Sequence, residues 1–124
     1  MLDILIVDDS AAIRKILQRV LRQADIPIGN IAEAGDGNEA IEVMKTSNIG
    51  LVLSDINMPN MNGLEMLSAI RANDAWKNVP VVMVSTEGSQ AKVLEAVRLG
   101  AAGYVRKPFN AEQIKEKLAG FFRS

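Results

Sequence analysis

The chain has 124 residues, a length that suits one domain with one core, and 48% of them are hydrophobic. Acidic and basic residues nearly balance at a formal charge of −1, so there is no electrostatic reason to expect nucleic acid or a membrane surface as the main partner. Cysteine and histidine are absent, which excludes disulfides, thiolate metal sites, histidine-based catalysis and most zinc sites.

Short apolar runs and helical patterns alternate along the chain. The runs at 4–7, 30–34, 51–55, 81–84 and 103–106 are typical of β-strands. Each is followed by apolar residues at the spacing of an amphipathic helix, within 13–24, 40–44, 64–70, 93–97 and 114–122. Three of these helices are preceded by side chains that can cap them: Asp9 or Ser10, Asp36, and Asn110. The pattern therefore predicts five strands and five helices.

The alternation of strands and helices predicts a doubly wound α/β fold, with helices on both faces of a parallel sheet. The runs at 4–7, 51–53 and 81–84 are apolar throughout, which is typical of central strands, whereas those at 30–34 and 103–106 are mixed and typical of edges. Right-handed crossovers then favour the strand order 2-1-3-4-5, which is the flavodoxin-like arrangement. In such a sheet, ligands bind at the switch point between strands 1 and 3.

Three carboxylates lie at the ends of the two strands that flank this switch point. Asp8 and Asp9 follow the first strand, and Asp55 ends the third. Carboxylates repel one another by about 1–4 kcal/mol near 4 Å, so a positive group must offset them. Lys107, at the end of the fifth strand, is one candidate, and a bound hard cation is the other. Oxygen ligands without His or Cys favour Mg²⁺.

This set of donors suits phosphoryl chemistry. Asp55 would attack phosphorus and become an acyl phosphate. The main-chain carbonyl of Asn57 is expected within reach of the same ion, and the hydroxyl of Ser85, at the end of the fourth strand, can contact a phosphoryl oxygen. Lys107 supplies a positive charge to the phosphoryl group.

Four motifs recur here with the spacing of a known family, and they span nearly the whole chain: Asp8-Asp9-Ser10, Asp55 with Met58-Pro59 and Gly63, Ser85, and Lys107-Pro108-Phe109. The chain thereby resembles the receiver domain of bacterial response regulators, in particular the free-standing chemotaxis type. The resemblance implies that a sensor histidine kinase transfers a phosphoryl group to Asp55. It also implies Mg²⁺ at Asp8, Asp9, Asp55 and the carbonyl of Asn57, and a cis peptide bond before Pro108.

The same resemblance implies a conformational switch. Phosphorylation would draw Ser85 toward the acyl phosphate, and Tyr104 would fill the vacated space. This movement would remodel the face formed by the fourth helix, the fifth strand and the fifth helix, to which a downstream protein binds. Asn57 and Glu87 are expected to lie beside the phosphorylation site in the fold and to modulate access of the hydrolytic water. Ser85 departs from the family pattern, where threonine is commoner, and Arg106 stands on the output face where an apolar residue is expected.

Two alternatives from other classes share this architecture. An Mg²⁺-dependent phosphatase would also use an aspartate nucleophile, but such enzymes usually carry a second acid two residues later, where this chain has Asn57, which has no proton to exchange. A flavin-binding module would need Gly, Ser or Thr to cradle phosphate in the first strand–helix turn. That turn is acidic here, with Asp8 and Asp9.

We expect a single receiver domain over residues 1–124 with no output domain. It would act as a monomeric signalling switch that catalyses its own phosphorylation and dephosphorylation, and not as a conventional enzyme. No apolar stretch approaches the roughly 20 residues needed to cross a bilayer, and the start lacks the basic region of a signal peptide. A cytoplasmic protein without nucleic-acid or membrane partners is therefore expected.

Overall fold

Strands and α-helices alternate through residues 2–86 and 89–121, which are the residues that the computed structural model describes. The elements are β1 Leu2–Val7, α1 Ala11–Gln23, β2 Ile28–Ala34, α2 Gly37–Thr46, β3 Leu51–Ser54, α3 Gly63–Ala72, β4 Val81–Ser85, α4 Gln90–Arg98, β5 Gly103–Arg106 and α5 Ala111–Leu118, followed by a 3₁₀ turn at Ala119–Phe121. The predicted alternation of five strands and five helices is confirmed over this part of the chain. The predictions for Glu87 and Phe122 lie outside the described residues.

The five strands form one parallel sheet in the order β2-β1-β3-β4-β5. This confirms the order that the sequence predicts. The strands that are apolar throughout are central, because both of their faces are covered, and the two mixed strands are the edges. β2 begins at Ile28, which pairs with Leu2, two residues before the predicted start at residue 30.

Side chains of the central strands alternate between two cores, one on each face of the sheet. Leu5, Val52 and Met83 pack on the face that also holds the buried residues of α2, α3 and α4. Ile6 and Leu53 pack on the opposite face, against the buried residues of α1 and α5. The sheet thus lies between two helical layers, which is the doubly wound arrangement.

α4 is the α-helix with the fewest buried residues. Its one buried residue is Ala96, whereas the side chains of Leu94 and Val97 are 48% and 59% exposed. The apolar pattern at 93–97 therefore predicts the helix correctly, but it does not predict which face of the helix is turned to the sheet. No helix in the described part of the chain is long and apolar enough to cross a membrane.

Helix caps fix where α1, α2 and α5 begin. The side chains of Ser10, Asp36 and Asn110 each accept a hydrogen bond from a main-chain amide in the first turn. Of the two caps considered for α1, the structure uses Ser10 and leaves Asp9 exposed. These starts place the strand–helix turns, and the acids within them, at the carboxyl edge of the sheet.

Candidate functional site

Three aspartates meet at the carboxyl ends of β1 and β3, as the sequence predicts. One carboxylate oxygen from each of Asp8, Asp9 and Asp55 lies within 4.8 Å of the others; we call these residues the acidic cluster. The sheet ladder continues into both turns, because the amide of Asp8 donates to the carbonyl of Ala34 at 3.1 Å and that of Asp55 donates to the carbonyl of Val7 at 2.9 Å. The acids are therefore positioned by the sheet itself.

Lys107 contacts the acidic cluster, although it is far from Asp8 in the sequence. Its main-chain amide donates to the carbonyl of Ser85 at 2.9 Å, which fixes the residue at the end of β5. Its ammonium group donates to Asp8 Oδ2 at 2.8 Å and to Asp55 Oδ2 at 3.4 Å. The peptide bond between Lys107 and Pro108 is cis, as the resemblance implies. The ammonium group thus offsets part of the repulsion between the two carboxylates.

The other oxygens of the two inner carboxylates accept main-chain hydrogen bonds. Asp8 Oδ1 accepts from the amide of Ser10 at 2.9 Å, and Asp55 Oδ1 accepts from the amide of Ile56 at 2.7 Å. Asp8 is 2% exposed and the side chain of Asp55 is 12% exposed, whereas Asp9 is open to solvent. Asp9 therefore gives the cluster an accessible side.

The acidic cluster fits a magnesium ion by the chemistry of its donors. All three groups are hard oxygen ligands, they are close enough to share one ion, and one of them faces solvent. Mg²⁺ usually takes one or two protein carboxylates and keeps several waters. An accessible cluster of this kind leaves room for those waters and for a phosphoryl group.

Ser85 and Tyr104 lie on adjacent strands and share one face of the sheet. Tyr104 pairs with Met83, and Ser85 follows two residues later on the same strand. Because side chains alternate along a strand, Ser85 projects to the same face as Met83. Tyr104 packs against the core on that same face. Ser85 is fully buried and Tyr104 is half-buried. The register thus brings together the two residues of the expected switch.

Asn57 is exposed in the turn that follows Asp55. The far end of this turn returns to the start, where the amide of Gly63 donates to the carbonyl of Ile56 at 2.8 Å. A Cβ atom at residue 63 would collide with the main-chain oxygen of Asp55. Glycine at this position therefore allows α3 to begin directly beside the predicted nucleophile.

Arg14 and Asp36, near the site, make long-range polar contacts that have no clear signal in the sequence. Arg14 of α1 donates to the carbonyl of Asp8 at 2.6 Å and to Glu33 Oε1 at 2.8 Å. Asp36, which is 7% exposed, accepts from the amide of Glu39 at 2.9 Å and from the side-chain amide of Asn60 at 2.8 Å. The bond from Glu39 is the local cap that the sequence predicts, whereas the contacts of Arg14 and the contact from Asn60 join distant parts of the chain and depend on the fold.

The same two contacts to Asp36 have an electrostatic consequence. Hydrogen bonds from the amide of Glu39, and then from the side chain of Asn60, hold the pKa of Asp36 below its ordinary value. The group is therefore a carboxylate whenever the protein is near neutral pH.

Comparison with known proteins agrees with these features. The family profile described as response regulator receiver domain matches residues 4–119. The chain is 41% identical over 119 residues to the chemotaxis protein CheY of Pseudomonas aeruginosa, covering 96% of this chain and 94% of that protein.

Two solved structures with more than 30% sequence identity to this chain have the same fold. Chemotaxis protein CheY4 of Vibrio cholerae superposes with a TM-score of 0.87 at 35% identity, with 98% of each chain covered. A complex of CheX and CheY with BeF₃ and Mg²⁺ from Borrelia burgdorferi gives a TM-score of 0.87 at 32% identity, with 99% of this chain and 90% of that chain covered. These similarities extend over nearly all of both chains.

Proposed function

Because the chain belongs to the response regulator receiver domain family and is similar to CheY chemotaxis proteins, we propose that it is a phosphoacceptor whose acceptor residue is Asp55. Receivers of this type are signalling switches in two-component systems and not conventional enzymes. One observation supports the assignment most directly: Lys107 reaches both Asp8 and Asp55 within a cluster of three acids. We further propose that residues 1–124 are a single receiver domain, which acts as a monomer in the cytoplasm.

Phosphoryl transfer begins at the carboxylate of Asp55. One of its oxygens attacks phosphorus, a P–O bond to Asp55 forms, and the P–N bond to a histidine of the sensor kinase breaks with its electron pair left on the ring nitrogen. Lys107, which already lies 3.4 Å from Asp55 Oδ2, places its positive charge beside the transferred oxygens.

The metal ligands in this proposal are Asp8, Asp9, Asp55 and the main-chain carbonyl of Asn57. Mg²⁺ held there would offset the negative charge that develops on the phosphoryl oxygens. Asp9 provides the accessible edge, while the hydrogen bonds to the inner carboxylates hold them in place. Hydrolysis reverses the state when water attacks phosphorus, releases inorganic phosphate and restores the carboxylate of Asp55. Asn57 and Glu87 would modulate the access of that water.

The output follows from Ser85 and Tyr104. A phosphoryl group on Asp55 adds about one to two negative charges, and the buried hydroxyl of Ser85 can move to donate to it. Tyr104 then turns into the space that Ser85 leaves, and the face formed by α4, β5 and α5 changes. This face carries the exposed Leu94 and Val97, and a downstream protein would bind there.

The first test is intact-protein mass spectrometry after incubation with acetyl phosphate, with and without Mg²⁺. We expect wild type to gain one base-labile phosphoryl group only when Mg²⁺ is present, and Asp55→Asn to gain none. Asp74→Asn is the matched control, because Asp74 is an aspartate with an almost fully exposed side chain in another loop. Modification of the Asp55→Asn protein would show that another residue is the acceptor. Steady hydrolysis of acetyl phosphate, with no adduct, would instead support the phosphatase alternative.

The second test follows the output face by NMR in the presence of Mg²⁺ and BeF₃⁻, whose adduct with an aspartate oxygen is tetrahedral like an aspartyl phosphate. We expect chemical-shift changes across α4, β5 and α5 in wild type, and much smaller changes there in Ser85→Ala. Equal changes in both proteins would remove Ser85 from the proposed switch.

A further inference from the structure

The turn that follows Asp55 is fixed at two points. At its start, the carbonyl of Ile56 accepts from the amide of Gly63 at 2.8 Å. Toward its end, the side-chain amide of Asn60 donates to Asp36 Oδ2 at 2.8 Å, and the carbonyl of Met61 accepts from the amide of Gly37 at 2.9 Å. Only residues 57–59 lie between Ile56 and the anchored Asn60.

Both carboxylate oxygens of Asp36 accept hydrogen bonds in this arrangement. One of its carboxylate oxygens caps α2 by accepting from the amide of Glu39, and the other accepts from Asn60. Asp36 is 7% exposed. A buried carboxylate needs its hydrogen bonds to both oxygens, because an unpaired buried charge is costly. Asn60, which is itself exposed, therefore satisfies the second oxygen of a buried carboxylate.

The backbone of Asn60 is also specialised. Its φ angle is 65°, in the left-handed region where asparagine is among the few residues with a side chain that are readily accepted. The left-handed turn sends the chain back toward α2, where Asn60 meets Asp36 and Met61 meets Gly37. The side chain and the backbone of this one residue thus act together to anchor the turn.

We propose that Asp36 and Asn60 are positioning residues for the metal site, and that their hydrogen bond holds the turn so that the main-chain carbonyl of Asn57 can ligate Mg²⁺. The inference rests on the proposed function, in which Asn57 supplies that ligand. Mg²⁺ demands near-ideal octahedral geometry. A carbonyl in a short segment held at both ends is ordered before the ion arrives, whereas a loosened segment loses conformational entropy on binding.

The test is calorimetric titration with Mg²⁺ alone, in the absence of any phosphodonor. The principal variant is Asn60→Gly, because glycine accepts a φ of 65° and leaves every charge in place. We expect its affinity for Mg²⁺ to fall about tenfold, as is usual when an outer contact of a metal site is lost. Asp36→Ala removes the other half of the pair and should weaken binding at least as much.

A double variant and a conservative variant separate positioning from charge. If the two residues act as one unit, Asp36→Ala with Asn60→Gly should bind no more weakly than Asp36→Ala alone. Asp36→Asn should bind nearly as well as wild type, because its oxygen can still cap α2 and its amide can donate to a rotated Asn60 amide. Weakening in Asp36→Asn equal to that in Asp36→Ala would assign the effect to lost charge and overturn the proposal.

Asn73→Gly is the matched control. Asn73 is also a loop asparagine with a side-chain hydrogen bond, although its side chain accepts from the amide of Ala75, and it follows α3 instead of preceding it. We expect its Mg²⁺ affinity to match wild type. If Asn60→Gly bound Mg²⁺ as tightly as wild type, the positioning role would be overturned, whereas the metal site would stand. Failure of wild type to bind Mg²⁺ would overturn the metal site and the positioning role together.

Discussion

The ammonium group of Lys107 lies 2.8 Å from Asp8 Oδ2, although the two residues are 99 positions apart in the sequence. Both side chains are largely buried, at 11% and 2% exposure. The lysine thus neutralises an acid that the proposed metal ion would also contact. Two cations then compete for one carboxylate, and this competition can be measured.

Lys107→Met should bind Mg²⁺ more tightly than wild type. Removing a positive charge from beside the ion relieves a repulsion that, with partial exposure to solvent, corresponds to about a tenfold change in affinity. Methionine keeps most of the aliphatic volume. Calorimetric titration of the metal gives the affinity directly, and Lys45→Met, an exposed lysine on α2, is the control. An unchanged or weaker affinity in Lys107→Met would contradict the competition between the two cations.

Asp9→Asn should stabilise the protein when no metal is present. Asp9 is the exposed member of the acidic cluster, within 4.8 Å of its neighbours, and it adds a third negative charge to a site with one lysine. We expect its removal to raise the free energy of unfolding by about 1 kcal/mol, the scale of a like-charge pair near 4 Å in water. Urea unfolding in the presence of a chelator measures this.

When Mg²⁺ is added, wild type should become more stable than Asp9→Asn, the reverse of their order without metal. Wild type gains stability from binding the ion, whereas Asp9→Asn gains less because it has lost a ligand. Asp74→Asn removes a charge far from the cluster in sequence and should respond to Mg²⁺ as wild type does. The metal-site assignment of Asp9 would be wrong if Asp9→Asn gained as much stability from Mg²⁺ as wild type.

Much of the fold can be predicted from the sequence, because buried strands have a recognisable pattern of apolar residues. The central strands contain the runs 4–7, 51–53 and 81–84, which are apolar throughout since helices cover both faces there, and the edge strands are mixed. The acidic cluster follows from the same logic. Asp8 and Asp55 come directly after two central strands, so that a correct strand order brings them together.

The remainder depends on contacts between separate turns, which no local pattern reports. Nothing in the sequence pairs Asp36 with Asn60, because the partners approach only when α2 and the turn after β3 are in place. α4 is a different case: its apolar residues Leu94 and Val97 are exposed, and the small Ala96 is buried. The apolar pattern predicts a helix there, but the face turned to the sheet is set by packing.

Arg71 at the end of α3 should contribute to stability through three main-chain carbonyl groups. Its guanidinium donates to Gly100 at 3.1 and 2.8 Å, to Val79 at 2.7 Å and to Lys77 at 3.2 Å. Burial lowers the pKa of this guanidinium, which is nevertheless charged near neutral pH. We expect Arg71→Met to lower the free energy of unfolding by about 2 kcal/mol, the scale of a hydrogen bond from a charged group.

Urea denaturation followed by the fluorescence of Trp76, which lies in the loop that Arg71 contacts, measures this loss. Arg71→Lys should recover less than half of it, because one ammonium group cannot span carbonyls that a planar guanidinium bridges. Arg98→Met serves as the control, since Arg98 is exposed on α4. Equal midpoints for Arg71→Met and Arg98→Met would show that the bridge adds nothing to stability.

The hydrogen bonds to Asp36 should make stability depend on acid pH in a defined direction. The amide of Glu39 and the side chain of Asn60 lower its folded-state pKa below the ordinary value of 3.8. The carboxylate therefore stabilises the fold at any pH above that ordinary value. The contribution is lost as the pH falls through the lower, folded-state pKa, where the native state also takes up the proton.

Asp36→Asn keeps a side chain that can cap α2 but cannot titrate. We expect it to be less stable than wild type at pH 7, and we expect the difference to shrink as the pH is lowered past 3.8. Urea unfolding at several pH values gives both quantities. Asn110→Ala removes the cap of α5 without removing a titratable group, so its difference from wild type should stay constant. A difference for Asp36→Asn that also stays constant with pH would mean that the two hydrogen bonds do not stabilise the charged form of Asp36.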